Sequence, residues 1–223
     1  MTTEKSINFD TQKLIVSNDI WKAELWFENI NAENKIIKAN NYSKIIDLSE
    51  KDYLGSLLAI KTTNNLGEYN NCLITGIDGG TYLHDGDKID KCQSVKLLDN
   101  NLILSTGFTF FSFNIEKQEI EWKLRPDISE VFEFYDLQDD FLLRGELEIH
   151  RIDINGNIKW SYGGKDIWVN IDGKKEVCIE NDKIKLTDFE SNIYVIDFNG
   201  NTLKKHPTFI VGENRKNWWK FWK

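Results

Sequence analysis

Between residues 100 and 206 one pattern returns three times. The first copy runs from Asn101 and Leu102 to Ile115, turns through Glu116–Glu119, and closes on Ile120, Glu121 and Trp122. The second runs from Asp140 and Phe141 to Ile154, turns through Asn155, Gly156 and Asn157, and closes on Ile158, Lys159 and Trp160. The third runs from Asp182 and Lys183 to Phe198, turns through Asn199, Gly200 and Asn201, and ends on Thr202 and Leu203. The matching residues Ile115, Ile154 and Phe198 are 39 and 44 positions apart. Each copy reads as strand, strand, tight turn, strand. Asn-Gly supplies the positive φ angles that a two-residue hairpin turn requires. Alternation around it, as in Ile193, Val195 and Asp197 against Tyr194, Ile196 and Phe198, has the period of a strand. Each copy then meets a stop: Pro126, Gly163 with Gly164, and Pro207. Proline cannot donate to a ladder and fits a strand end.

A period of about 40 residues with several strands per unit is how a β-propeller blade is written. Such a sheet cannot bury both faces alone, so it stacks on its neighbours. The expected fold is all-β: a single domain built as a β-propeller-like array of blades. Five blades would use roughly 200 residues, nearly the whole chain; an incomplete ring is the other arrangement. Residues 1–99 fit less well and read as degenerate blades or an N-terminal cap. Within them, Ile20 to Phe27 has the period of either a strand or a short helix. Asn29 to Asn41 reads as a loop, Leu57–Ile60 and Cys72–Ile74 as buried strands, and Tyr82 to Ile89 as a hairpin tipped by Asp85 and Gly86. Residues 100–206 carry the clear repeats, and 207–223 form a closing segment rich in Trp and Lys.

The segments IDINGNIKW (152–160) and IDFNGN (196–201) resemble the repeat of quinoprotein-like (PQQ-repeat) β-propellers. That repeat joins an apolar strand ending in Asp, a Gly turn, and a strand closing on Trp. The resemblance implies blade geometry, with Trp122 and Trp160 packed between blades. The third copy departs from it, because Lys204 stands where the Trp would be, and reads as a terminal or atypical blade. The resemblance stops short of quinone chemistry. Family enzymes are longer and often hold an adjacent cysteine pair under the cofactor, whereas Cys72, Cys92 and Cys178 are scattered. No cofactor is expected.

Charge narrows the partners. Lys and Arg total 28 against 36 Asp and Glu, a net charge of -8. An acidic chain does not favour phosphate backbones, so nucleic acid is not expected; a basic protein partner is. An odd number of cysteines without a C-x-x-C reads as reduced thiols. The first residues lack the layout of a secretory signal, and no apolar run approaches the ~20 residues of a membrane span. The expected location is the cytoplasm.

Motifs for chemistry are sparse. Asp153, Asn155 and Asn157, and likewise Asp197, Asn199 and Asn201, have the look of calcium loops. Ile158 and Thr202 stand where such a loop needs Gly, and Gly164 and Thr208 where it needs an acid, so hairpin turns are the better reading. Cys72, His84 and Cys92 lack the short ligand spacing of structural zinc, so no metal is expected. His150 stands out among the histidines. Apolar parity runs through Leu147 and Ile149 and then shifts to Ile152 and Ile154, which suggests a bulge. Carboxylate pairs such as Asp139 with Asp140, Glu146 with Glu148, and Asp85 with Asp87 are too abundant to mark a catalytic pair.

These readings favour a non-enzymatic protein-binding scaffold whose loops gather at one rim. Its concrete form is an acidic bacterial immunity or antitoxin protein that caps a basic toxin. The candidate rim comprises Asp127, Asp166 and Trp168, with Asp85 and Asp87 on the Asp-Gly hairpin. One rival is a hydrolase or lyase acting on sugar chains through carboxylates in a central cleft. Another is a membrane-associated module using the tail Arg215–Lys223, which holds three of the eight tryptophans and four cations. Packing of that tail against the body is preferred, because exposing so much apolar surface is unusual.

Overall fold

A computed structural model gives the fold over residues 13–28, 42–49, 55–79, 83–84 and 93–206, to which all structural statements refer. These residues form 17 strands in four sheets, with no helix among them. The chain divides into two compact units, Met1–Gly163 and Gly164–Lys223.

The first sheet holds β1 (Leu14–Ser17), β2 (Trp21–Glu28), β3 (Lys44–Asp47), β4 (Ser56–Asn64) and β5 (Tyr69–Ile77). Their order is β1-β2-β4-β5-β3, antiparallel except where β3 runs parallel to β5. The ambiguous run at Ile20–Phe27 is therefore strand, and the runs at Leu57–Ile60 and Cys72–Ile74 are central strands. The second sheet holds β6 (Val95–Leu98), β7 (Asn101–Thr106), β8 (Thr109–Asn114) and β9 (Glu119–Leu124). The third holds β10 (Val131–Leu137), β11 (Asp140–Gly145), β12 (Glu148–Ile152) and β13 (Ile158–Gly163). The second unit contains the fourth: β14 (Val177–Glu180), β15 (Lys183–Thr187), β16 (Ile193–Asp197) and β17 (Thr202–His206). Sheets two to four are four-stranded antiparallel meanders in chain order, the form of propeller blades. The five blades expected from length come down to four sheets among the described residues.

Packing within the first unit follows from strand register. Cross-strand partners share a face. Thus Val95, Leu102, Leu104, Phe111 and Phe113 lie on one side of the second sheet. They pack with Leu25, Leu58, Ile60 and Ile74 of the first sheet. Ile103 and Phe110 lie on the other side, packed with Val131, Phe134, Phe141, Leu143 and Ile152 of the third sheet. β7 and β8 are almost continuously buried, on both faces, while the outer strand β9 alternates. Phe110 centres the second seam, with ring centroids 5.2 Å from Phe134, 5.3 Å from Trp122 and 5.9 Å from Phe141. The tilted and edge-on geometries suit aromatic quadrupoles.

Trp122 does what the repeat implied. Its Nε1 donates to the carbonyl of Ile154 at 2.9 Å, in the β12–β13 turn of the next sheet. The indole lies on Gly156, where an added Cβ would come within 2.7 Å of the ring. Trp21 makes a similar link one sheet earlier, donating to Asn100 Oδ1 at 3.0 Å.

One local expectation is corrected. The Asn-Gly segments are not two-residue turns. Only Gly156 and Gly200 take positive φ, +83° and +81°, and their N–H groups donate to Asp153 and Asp197 three residues back. The register then shifts by one residue, between Arg151 and Ile152 in the third sheet. The two-residue turns instead join the first two strands of each meander, with Asp99, Gln138 and Asn181 at positive φ. A register shift does fall beside His150, between Arg151 and Ile152, with Lys159 as the extra residue on β13. Strand β12 is also buried on both faces, with Ile149 on one and His150 and Ile152 on the other, which adds to the loss of apolar parity.

Candidate functional site

In the second and third sheets the strand ends that carry the between-sheet connections form one rim. It comprises Asp78, the β7–β8 turn at Gly107 and Phe108, the β9–β10 loop at residues 125–130, and the β11–β12 turn at Glu146 and Leu147. Backbone hydrogen bonds tie these pieces together, from Val131 to Gly107 at 2.8 Å and from Glu146 to Glu130 at 2.9 Å.

Asp127 organises the rim. Its carboxylate is buried and accepts the N–H groups of Ser129 (3.2 Å), Leu147 (3.2 Å) and Glu148 (3.1 Å). Ser129 donates its hydroxyl to Glu146. Arg125 bonds Asp78 at 3.3 Å and stacks over Phe108, 4.6 Å from the ring centroid. The next residue after Asp127, Ile128, is 84% exposed. The loop therefore holds an apolar side chain in water from a base fixed by charge-assisted hydrogen bonds.

His150 sits below this rim and is fully buried. Its Nδ1 is 2.8 Å from Ser161 Oγ, and its Nε2 has no partner. Burial holds its pKa below the ordinary 6.5, and Asp127 acts in the opposite sense.

The second unit builds its own loop between β13 and β14. Trp168 is fully buried, edge-on to Tyr194 at 5.5 Å. The Tyr194 hydroxyl donates to Asp188 and accepts the Lys165 N–H, each at 2.9 Å. Asp188, also buried, accepts both the N–H (2.8 Å) and the side-chain amide of Asn192. Asn170 donates to the Asp188 carbonyl at 2.7 Å and to Ser191 Oγ at 3.0 Å. Lys174 and Asp172 meet Ser191 Oγ at 2.9 and 3.0 Å. Ser191 has φ +67°, and it is held there by this network. A serine beside a lysine invites a nucleophile reading, but Lys174 is bonded to Asp172 at 3.0 Å, the contact of a cation rather than of a base. The network anchors a loop that leaves Ile171 66% exposed.

Of the five rim residues expected from sequence, Asp127 and Trp168 face inward, as anchor and core respectively. Asp166 is half-buried and accepts the Ile167 N–H at 2.8 Å. Asp85 and Asp87 lie outside the described residues, as do Cys92, the Asn29–Asn41 segment and the tail 207–223. Sequence reasoning passed over Ile128, Asn170, Asp188 and Tyr194. One signal was available: Asp188 and Asn192 have the same spacing as Asp153 with Asn157 and Asp197 with Asn201, and the same side-chain bonding.

The remaining candidates have structural partners. The Asp153 carboxylate accepts the N–H groups of Asn157 and Asn155, and Asp197 those of Asn201 and Asn199. Those contacts, led by Asn157 and Asn201, hold both below the usual carboxylate range. Asp140 pairs with Arg151 and with Lys159. Burial pushes the Cys72 thiol up to about 11. Among the described residues no group of three His, Cys, Asp or Glu side chains is arranged to hold a metal ion. No helix there is long and apolar enough to cross a membrane.

No protein-family model and no curated protein sequence matches the chain. Solved structures that align with it include the computationally designed Ika4 protein, at 14% identity and a TM-score of 0.42, over 56% of this chain and 77% of that one. The AfRom2 CNH domain aligns at 9% identity and a TM-score of 0.44, over 92% of this chain and 56% of that one. BamB from Moraxella catarrhalis aligns at 11% identity and a TM-score of 0.43, over 88% of this chain and 61% of that one. At these scores the likenesses carry no weight for function. The propeller-like character stands on strand order and stacking.

Proposed function

We propose that this chain is a non-enzymatic protein-binding scaffold, with quinoprotein-like repeats, that engages a basic protein through its inter-sheet loops. The observation that carries the reading is Ile128, presented to solvent on a loop locked by Asp127 and accompanied by Glu130 and Glu146. An apolar anchor inside a charged rim is the anatomy of a binding hot spot. A loop already fixed loses little freedom on binding. Charge supports the choice of partner. Without the four cations and one glutamate of residues 207–223, the totals of 28 and 36 leave a net charge of -11 on residues 1–206. That field attracts a cationic surface and speeds encounter. The displaced carboxylates Glu24, Asp47, Glu121, Asp153, Asp172 and Asp197 are all held low, which suits charge presentation better than general-acid catalysis. In its concrete form the protein is an immunity or antitoxin type protein that caps a basic toxin in the cytoplasm.

The test compares capture from the source cell by the wild type and by Ile128→Asp. A basic protein retained by the wild type and lost by the variant, with affinity down tenfold or more and the β-sheet spectrum unchanged, supports the reading. Glu130→Lys should slow association and flatten its salt dependence. Equal capture by Ile128→Asp, or binding indifferent to salt, would overturn it.

A further inference from the structure

We propose that His150 is an acid-sensitive latch on the seam between the second and third sheets. The register places His150 on the face of β12 that also carries Ile152, opposite Leu143 of β11. Leu143 and Ile152 belong to the apolar cluster that Phe110 and Ile103 of the second sheet complete. The imidazole is thus set into the contact between two sheets. One ring nitrogen meets Ser161 and the other, Nε2, meets nothing. As a neutral acceptor Nε2 is tolerable there. Protonated, both nitrogens become donors, and a charge lies buried without a hydrogen-bond acceptor at Nε2.

Few groups on the surrounding elements could offset that charge. The second sheet presents Ser105 and Ser112, two hydroxyls that are themselves without partners, and Lys96, already bonded to Asp136 of β10 at 2.7 Å. β13 presents Ser161. Glu148 shares the face on β12, with Oε1 over Gly163. The β9–β10 loop contributes Asp127, whose attraction for a cation works against the latch, but its carboxylate is already engaged by three N–H groups. Burial is the larger of the two influences on His150 and favours the neutral ring. The matching positions show that the residue is a local departure. Phe111, opposite Leu104, and Tyr194, opposite Leu186, occupy the same place in the second and fourth sheets.

The sign follows from linkage. A histidine whose pKa falls on folding contributes stability that is complete above the unfolded value, about 6.5, and declines as pH drops towards the folded value. The experiment is urea unfolding of the full chain from about pH 8 to 5, with His150→Phe and His150→Gln alongside. Below about pH 6.5 the wild type should lose up to tenfold more of its folded-to-unfolded ratio per pH unit than either variant. Above pH 7 the slopes should coincide. Equal slopes throughout would overturn the proposal. So would a wild type that gains on the variants in acid, because His150 and Asp127 would then act as an ion pair. If neither variant folds, imidazole NMR of the wild type decides. A ring neutral well below pH 6.5 in the folded protein supports the latch, and an ordinary titration refutes it. None of this depends on the proposed partner.

Discussion

The second and third sheets share one strand pattern and one register, yet their interiors differ. In the second, both faces of β7 and β8 are packed, against the first sheet on one side and the third on the other, with the uncharged Ser105 and Ser112 among the apolar residues facing the third. In the third, the face towards the second sheet sets His150, Glu148, Asp136 and Ser161 beside its apolar residues, and the opposite face carries buried charge. There Arg144 bonds Glu133 at 3.0 Å and Arg151 bonds Asp140, with all four side chains largely buried. Buried pairs of this kind specify orientation more than they add net stability. The repeat therefore sets a frame, and single substitutions within the frame decide whether a position serves packing or polar chemistry.

The comparison predicts the largest effect at the apolar seam. Phe110→Ala removes the ring that touches Trp122, Phe134 and Phe141, and should cost about 3–5 kcal/mol in urea or thermal unfolding. A loss below about 1 kcal/mol would mean that the seam is not the cooperative core described here. Next comes the turn under Trp122. Gly156 and Gly67 have nearly the same φ, +83° and +81°, but an added Cβ meets the Trp122 ring at the first and nothing within 4 Å at the second. Backbone strain should make each alanine cost roughly 1–2 kcal/mol. Overpacking against Trp122 should add about 1–3 kcal/mol to Gly156→Ala alone. Equal losses at the two glycines would show that the indole moves aside freely and does not staple the sheets.

The ordering of these effects reflects what could be read before any coordinates. Spacing, Trp and the Asp-x-Asn-Gly-Asn strings exposed β7–β9, β11–β13 and β15–β17, because an alternating outer strand and a glycine turn leave a local imprint. The leading strands β6, β10 and β14 escaped. They are short or interrupted, as at the shift between Val131 and Glu133, and a two-residue turn without glycine leaves little trace. The first sheet was legible as separate apolar runs but not as a sheet. Lys44–Asp47 pairs in parallel with β5, and a four-residue parallel edge has no period to detect. The rim was harder still. Acidic and aromatic residues in loops suggest binding, yet Asp127 caps backbone N–H groups and Trp168 fills the core of its loop. Burial of a loop side chain is decided by distant partners, here Leu147 with Glu148 and Tyr194, that no local pattern reveals.

The smallest effect distinguishes the turn of the third sheet from a merely solvated loop. Asp153 accepts the N–H groups of Asn155 and Asn157, both at 2.9 Å, and these contacts hold its carboxyl below 3.8. A carboxyl whose pKa falls on folding contributes stability that is present above the unfolded value and lost as pH falls through the folded one. Asp153→Asn should therefore cost less than about 1 kcal/mol at neutral pH, since the site is close to water and screened. The gap between wild type and variant should begin to narrow as pH falls below about 3.8, where the unfolded carboxyl takes up its proton, and should close only below the lower pKa of the folded carboxyl. Asp197→Asn in the fourth sheet should give a curve of the same shape, because Asn199 and Asn201 repeat the contacts at 2.9 and 2.8 Å. A gap that stays constant down to pH 2.5 would mean that Asp153 acts through turn propensity alone. The shared Asp-to-Asn bonding would then be a by-product of the turn and not what holds it.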